Sequence, residues 1–170
     1  LQGLTSAYLL RHTYRVQPGD TVLIHAAAGG VGLIACQWAK ALGATVIGTV
    51  STEFKADLAR QHGCDHVIIH GREDIVARVR ALTDGVGVSV VYDGVGKATF
   101  MASLDCLRRR GMLVTFGNAS GAVPPFDPLL LTQKGSLFLT RPKLADYMTQ
   151  RSELLALADE LFGFMATGKL

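Results

Sequence analysis

The chain is expected to fold as an α/β domain built on a doubly wound, parallel six-stranded sheet, and three observations lead there. Short β-branched runs alternate with stretches of helical apolar spacing along the whole sequence. A glycine-rich segment joins the first such run directly to the first long helical pattern. At 170 residues, 49% hydrophobic and 18% charged, the chain can fill one core, and disorder is excluded.

The elements follow in order. Gln17-Pro18-Gly19-Asp20 is a turn, and Thr21 to His25 is an apolar run of buried-strand type. Val31, Ile34, Ala35, Trp38 and Leu42 fall at helical intervals from Gly30 onward, with Gly43 as the stop. Thr45 to Val50 is a second strand, Glu53 to His62 a helix closed by Gly63, and His66 to Ile69 a third strand. The second half repeats this rhythm, with helix Asp74–Leu82, strand Val88–Tyr92, helix Ala98–Leu107 and strand Gly111–Phe116. A loop with Pro124, Pro125 and Pro128 leads through a short Leu-rich helix to strand Ser136–Thr140, and Gln150 to Ala166 is a long amphipathic helix. Such alternation implies a parallel sheet covered on both faces. Two βαβαβ halves imply the strand order 3-2-1-4-5-6 of the Rossmann, NAD(P)-binding fold.

Ala26-Ala27-Ala28-Gly29-Gly30-Val31-Gly32 lies between the first strand and its helix. Against G-x-G-x-x-G, Gly29 and Gly32 take the second and third glycine positions and Ala27 replaces the first. A pyrophosphate approaches the unpaired amides at a helix N-terminus, where the dipole is positive. A side chain at Gly29 would block that approach, and one at Gly32 would push helix from strand. A tight turn that binds nothing is the bland alternative.

An NAD site places a carboxylate at the end of strand two, about 20 residues further on, to hold the ribose 2′-OH. Here that region reads Gly48-Thr49-Val50-Ser51-Thr52-Glu53-Phe54-Lys55. Ser51 and Lys55, one helical turn apart, suit a 2′-phosphate, so NADP(H) is the expected cofactor. Glu53 at a helix start is explained by the dipole. Read as structure alone, Ser51 is a helix N-cap and Lys55 a solvated lysine. Asp93 likewise has a reading as the cap of the helix after strand four.

These segments, with Asp93-Gly94-Val95-Gly96 and Phe116-Gly117-Asn118-Ala119-Ser120-Gly121, resemble the zinc-independent quinone oxidoreductases of the medium-chain dehydrogenase/reductase superfamily. Gly3 to Tyr8 resembles the helix that leads into that family's cofactor domain. The resemblance implies NADPH-dependent reduction of quinones or other electron-poor enones. It places Thr5 near the nicotinamide, Gly29, Gly30 and Val31 at the pyrophosphate, Ser51 and Lys55 at the 2′-phosphate, and Phe116, Gly117 and Asn118 on the nicotinamide side. From the residues alone, Ala28 and Gly32 belong to the same glycine loop, and the end of strand four delivers Gly94 and Val95 to the same carboxyl edge, where ligands of open parallel sheets sit. His70 stands where many members carry Tyr near the adenosine. It further implies that residues 1–16 link from an absent N-terminal GroES-like catalytic domain, that 17–170 form the NADP-binding domain, and that the fragment alone is inactive. Dimers built through the strand near 136–140 are expected as well.

No protein nucleophile, carboxylate pair or metal set stands out, so no catalytic residue and no metal ligand is assigned. Cys36, Cys64 and Cys106 lack metal-ligand spacing and read as buried packing, and His25 as a core histidine. Seventeen Lys and Arg against 14 Asp and Glu give a net charge of +3, too even to argue for nucleic acid. No run reaches the roughly 18 apolar residues of a membrane span and no signal peptide opens the chain, so a cytoplasmic location is expected. The chain starts without Met and stops directly after a helical pattern, and a piece of a longer protein is therefore expected. Three alternatives remain: an alkenal or enoyl reductase of the same superfamily, a nucleotide- or RNA-binding module without turnover, and an S-adenosylmethionine methyltransferase. The last would want an acidic residue at the end of strand two.

Overall fold

Both faces of the sheet are buried, which is why its strands read as continuous apolar runs rather than alternating ones. The computed structural model describes all 170 residues. Its elements are α1 (Gln2–Tyr8), β1 (Thr21–Ile24), α2 (Gly30–Ala41), β2 (Thr45–Val50), α3 (Glu53–Gln61), β3 (His66–Ile69) and α4 (Ile75–Leu82). There follow β4 (Val88–Asp93), α5 (Phe100–Cys106), β5 (Leu107–Thr115), α6 (Leu129–Gln133), β6 (Phe138–Thr140) and α7 (Arg151–Ala166). The strands are all parallel, in the order β3-β2-β1-β4-β5-β6 that the sequence predicts.

Residues alternate between two cores along each strand. Val22, Val46 and Val90 pack with Trp38 of α2 and Leu157 of α7, while Leu23, Ile47 and Val91 pack with Val79 of α4 and Leu104 of α5. Helix ends follow local chemistry. Thr52 caps α3 by accepting from Lys55 N–H at 3.3 Å, and Asp74 caps α4 by accepting from Ala77 N–H at 2.8 Å. Gly43, at φ +87°, turns the chain out of α2 into a conformation that a side chain would strain.

Three boundaries differ from expectation by two residues or more, and several others by one. β5 begins at Leu107, not Gly111, because its pairing with β4 jumps from Val88–Leu107 to Val90–Met112. The exposed Arg108, Arg109 and Arg110 bulge out between these pairs, with Arg110 at φ 58°. β6 begins at Phe138 because Ser136, at φ 55°, still belongs to the turn after α6. α5 begins at Phe100, after a turn in which the Thr99 and Phe100 amides both donate to Gly96 O and the Ala98 amide donates to Ser120 Oγ.

Residues 1–16 are part of the main core. α1 continues into a π-helical turn, Leu9–Thr13, and Ala7, Tyr8, Leu9, Leu10 and Val16 are buried. Gly3 lies against Leu161 of α7, Tyr8 stacks on Tyr147 at 4.6 Å, and Arg11 pairs with Glu160. No helix is long and apolar enough to cross a membrane.

Candidate dinucleotide site

The loop after β1 turns on Ala26, a non-glycine residue at φ 51°. The tight-turn position therefore falls on Ala26 and not on Ala27, which is buried against Gly48. A left-handed alanine costs about 1 kcal/mol, and such strain gathers where a loop is held for a ligand. Gly29 N–H donates to Ala26 O at 2.8 Å and closes the turn. Gly29 then caps α2 without a side chain, and no acidic residue enters the first turn. The amides of Gly30, Val31 and Gly32 are left unpaired by helix geometry, forming a cradle for an anion. A Cβ on Gly32 would come within 2.4 Å of Ala26 O and 2.7 Å of Ala27 O, so close packing of helix on loop is what requires this glycine.

Beside the cradle, at the carboxyl edge of the sheet, lies a cavity of about 350 Å³, room for part of a dinucleotide. Ala28, Gly29, Ser51, Lys55, His70 and Val95 line it, all expected from the sequence. Lys55 Nζ donates to Ser51 Oγ at 3.2 Å. Because Thr52 is the cap of α3, Ser51 is free of that duty and faces the cavity. Glu53 is held by Arg72 at 2.6 Å.

Thr5, Gly94, Phe116, Gly117 and Asn118 do not line the cavity. Thr5 Oγ1 donates to Leu1 O at 3.0 Å on α1. The loops after β4 and β5 interlock instead. Phe116 N–H donates to Asp93 O at 2.8 Å and Ala119 N–H to Gly94 O at 3.2 Å, while a Cβ on Gly117 would lie 2.4 Å from Gly94 O. Arg141 ties this lobe to β6 through Thr115 Oγ1 at 3.1 Å and Gly117 O at 2.9 Å.

Sequence reasoning missed Ala26, Thr49, Val50, Ile75, Ala98 and Thr99 in the lining. Thr49 and Val50 sit at the end of strand two, next to Ser51, and Thr99 follows the Gly94–Gly96 turn, while Ile75 carries no sequence signal. Behind Thr49 and Thr99, His25 lies 2.9 Å by Nδ1 from Thr49 Oγ1 and 3.0 Å by Nε2 from Ser103 Oγ. Asp93 Oδ1 accepts from Val95 and Gly96 N–H at 2.8 and 3.0 Å, and Oδ2 accepts from Ser103 Oγ at 2.8 Å. Asp93 thus holds the loop after β4, rather than facing a ligand.

The fold and the glycine cradle define the class: a Rossmann-type dinucleotide-binding domain. A family model for zinc-binding dehydrogenases matches residues 30–155, and the chain belongs to that family. It is 56% identical over its full length to the quinone oxidoreductase of Pseudomonas aeruginosa, and 53% identical to the 2-haloacrylate reductase of a Burkholderia species. Against the crystal structure of Escherichia coli quinone oxidoreductase complexed with NADPH, the TM-score is 0.97 at 55% identity, over 100% of this chain and 52% of that one. The chain spans about half the length of these relatives, 52% and 51% of the two curated proteins. As for the zinc in the family's description, Cys36 and Cys64 meet at 3.3 Å, but no group of three His, Cys, Asp or Glu residues could hold a metal ion. The residues present do not fit a metal.

Proposed function

We propose that this chain is the NADP(H)-binding domain of a quinone oxidoreductase that reduces quinones or related electron-poor enones by hydride transfer. The observation that carries this reading is the Lys55–Ser51 pair on the cavity wall, where an NAD site would place a carboxylate. The cradle fits the pyrophosphate, since the amides of the first turn of α2 are unspent and no acidic residue stands there. The NADPH complex of the Escherichia coli relative supports the same cofactor.

Ala28, Gly29, Gly30, Val31 and Gly32 would hold the pyrophosphate, Ser51 and Lys55 the 2′-phosphate, and His70 the adenosine side. Gly94, Val95, Phe116, Gly117, Asn118 and Thr5 would face the nicotinamide half. When bound, the nicotinamide supplies the hydride, and this chain supplies orientation and electrostatics. A second reading, reduction of an activated C=C bond such as an alkenal or enoyl group, is favoured by the 53% identity to 2-haloacrylate reductase. In either case the substrate is a small molecule, the location is cytoplasmic, and the assembly is a homodimer through β6. No membrane or nucleic-acid partner is proposed.

Titration calorimetry of NADPH and NADH tests the cofactor. Lys55→Ala should weaken NADPH by about 1.5–3 kcal/mol, the span of a hydrogen bond to a charged group, and leave NADH nearly unchanged. Equal loss for both cofactors would remove the 2′-phosphate assignment. Steady-state assays test the activity. The 170-residue chain should bind NADPH saturably yet turn over little, because it offers a single wall to an acceptor that must be held in near-attack geometry. Benzoquinone turnover equal to that of a protein of the relatives' length would show the active site misplaced.

A further inference from the structure

Behind the cavity wall runs a chain of polar side chains that the sheet and α5 bury almost completely. Its anchor is Asp93, 1% exposed, which accepts from two backbone amides and from the hydroxyls of Thr99 and Ser103. A carboxylate has no proton to give, so both hydroxyls point theirs at it. With that proton spent, Ser103 Oγ can only accept across the 3.0 Å to His25, which makes His25 Nε2 an N–H. A neutral imidazole carries one N–H, so Nδ1 is a bare lone pair, and Thr49 Oγ1, 2.9 Å away, donates to it. Burial keeps the ring neutral by pushing its pKa down; Asp93 opposes this and His70 adds to it. Every hydroxyl in the chain therefore gives its proton one step inward, toward Asp93.

Both outer members, Thr49 and Thr99, line the cavity. We infer that Thr49 is a fixed hydrogen-bond acceptor that selects a ligand bearing an N–H or O–H donor, with His25 as the positioning residue that holds its proton. The other wall has the opposite character, since the Lys55 ammonium there can only donate. An occupant matched to both walls is anionic at one side and carries a donor at the other. A phosphorylated adenosine meets this description through its phosphate and either its adenine amine or its ribose 3′-hydroxyl. The identity of the ligand rests on the NADP(H) reading, whereas the character of the Thr49 wall rests on hydrogen-bond direction alone.

Two measurements test the inference. In nitrogen–proton correlation NMR of the ligand-free chain, the His25 ring should be protonated at Nε2 and bare at Nδ1; the reverse pattern would overturn it. Calorimetry should then compare adenosine 2′-phosphate with inosine 2′-phosphate, which replaces the amine by a carbonyl, and with 3′-deoxyadenosine 2′-phosphate, which lacks the hydroxyl. One of the two analogues should bind about three- to tenfold more weakly, as loss of a single hydrogen bond predicts, and which one it is identifies the donor. Thr49→Val should erase that difference and Thr49→Ser keep it. His25→Gln, whose amide can accept from Thr49 and donate to Ser103, should keep it too, while His25→Leu should lose it. Equal binding of all three compounds, or a preference that survives Thr49→Val, would overturn the assignment. The NADP(H) reading fails separately, by adenosine 2′-phosphate binding no tighter than adenosine 5′-phosphate.

Discussion

His25 shows how burial decides what a titratable side chain contributes. At 2% exposure, its ring is desolvated, and its pKa falls below the ordinary histidine value despite the attraction of Asp93. In the unfolded chain the same ring takes a proton near pH 6.5, so below that pH the unfolded state binds more protons than the folded one. Stability should therefore fall as pH drops from 7 toward 5.5, above the range in which carboxylates titrate. His25→Gln should flatten that slope, as followed by thermal melting across the interval; a wild-type melting temperature independent of pH there would contradict the burial argument. Cys106 follows the same logic: burial pushes its thiol up to about 12, which makes it an inert packing group.

Among the elements, the union of β1, its loop and α2 depends on two small residues. Gly32 admits the carbonyls of Ala26 and Ala27, and Gly48 admits the Ala27 methyl, which would lie 2.7 Å from a Cβ there. Gly32→Ala should cost about 1–3 kcal/mol of stability, the usual penalty of overpacking, and should weaken dinucleotide binding because the cradle moves with the helix. Chemical denaturation and calorimetry would check the two effects; a Gly32→Ala variant with unchanged stability would mean that the loop carbonyls yield freely. At the opposite edge of the sheet, Arg80 of α4 donates to the carbonyls of Gly85, Val86, Asp105 and Leu107. One guanidinium thereby ties the end of α4 to the start of β5, and no sequence spacing announces this.

The whole molecule ends its sheet on an open strand. β6 pairs with β5 on one side only, and its first residue, Phe138, is 55% exposed. An apolar edge left open invites pairing with a second copy, and a two-fold axis would continue the sheet across both chains. Light scattering should read twice the 18.1 kDa of one chain, and Phe138→Lys should shift the mass toward a monomer. A monomeric mass at high concentration would count against the edge as an interface.

The sequence by itself determined the architecture, because each strand and helix carries its own period and stop signal. The strand order followed from the handedness and alternation of the βαβ units, and the glycine cradle from its place between a strand and a helix. Ser51 and Lys55 were legible because they stand where an NAD site would place a carboxylate, just past the end of strand two. What only tertiary structure decided are features made by residues far apart in the chain. Thr49, His25, Ser103 and Asp93 become one hydrogen-bonded chain only when β2, β1, α5 and β4 pack together. The turn falls on Ala26 rather than Ala27 because Ala27 is drawn into the gap at Gly48. The first 16 residues, which read as a connecting helix, are held in the core by α2 and by α7, the last element of the chain. Periodicity reports which face of a segment is buried, but the partner that buries it is chosen by the fold as a whole.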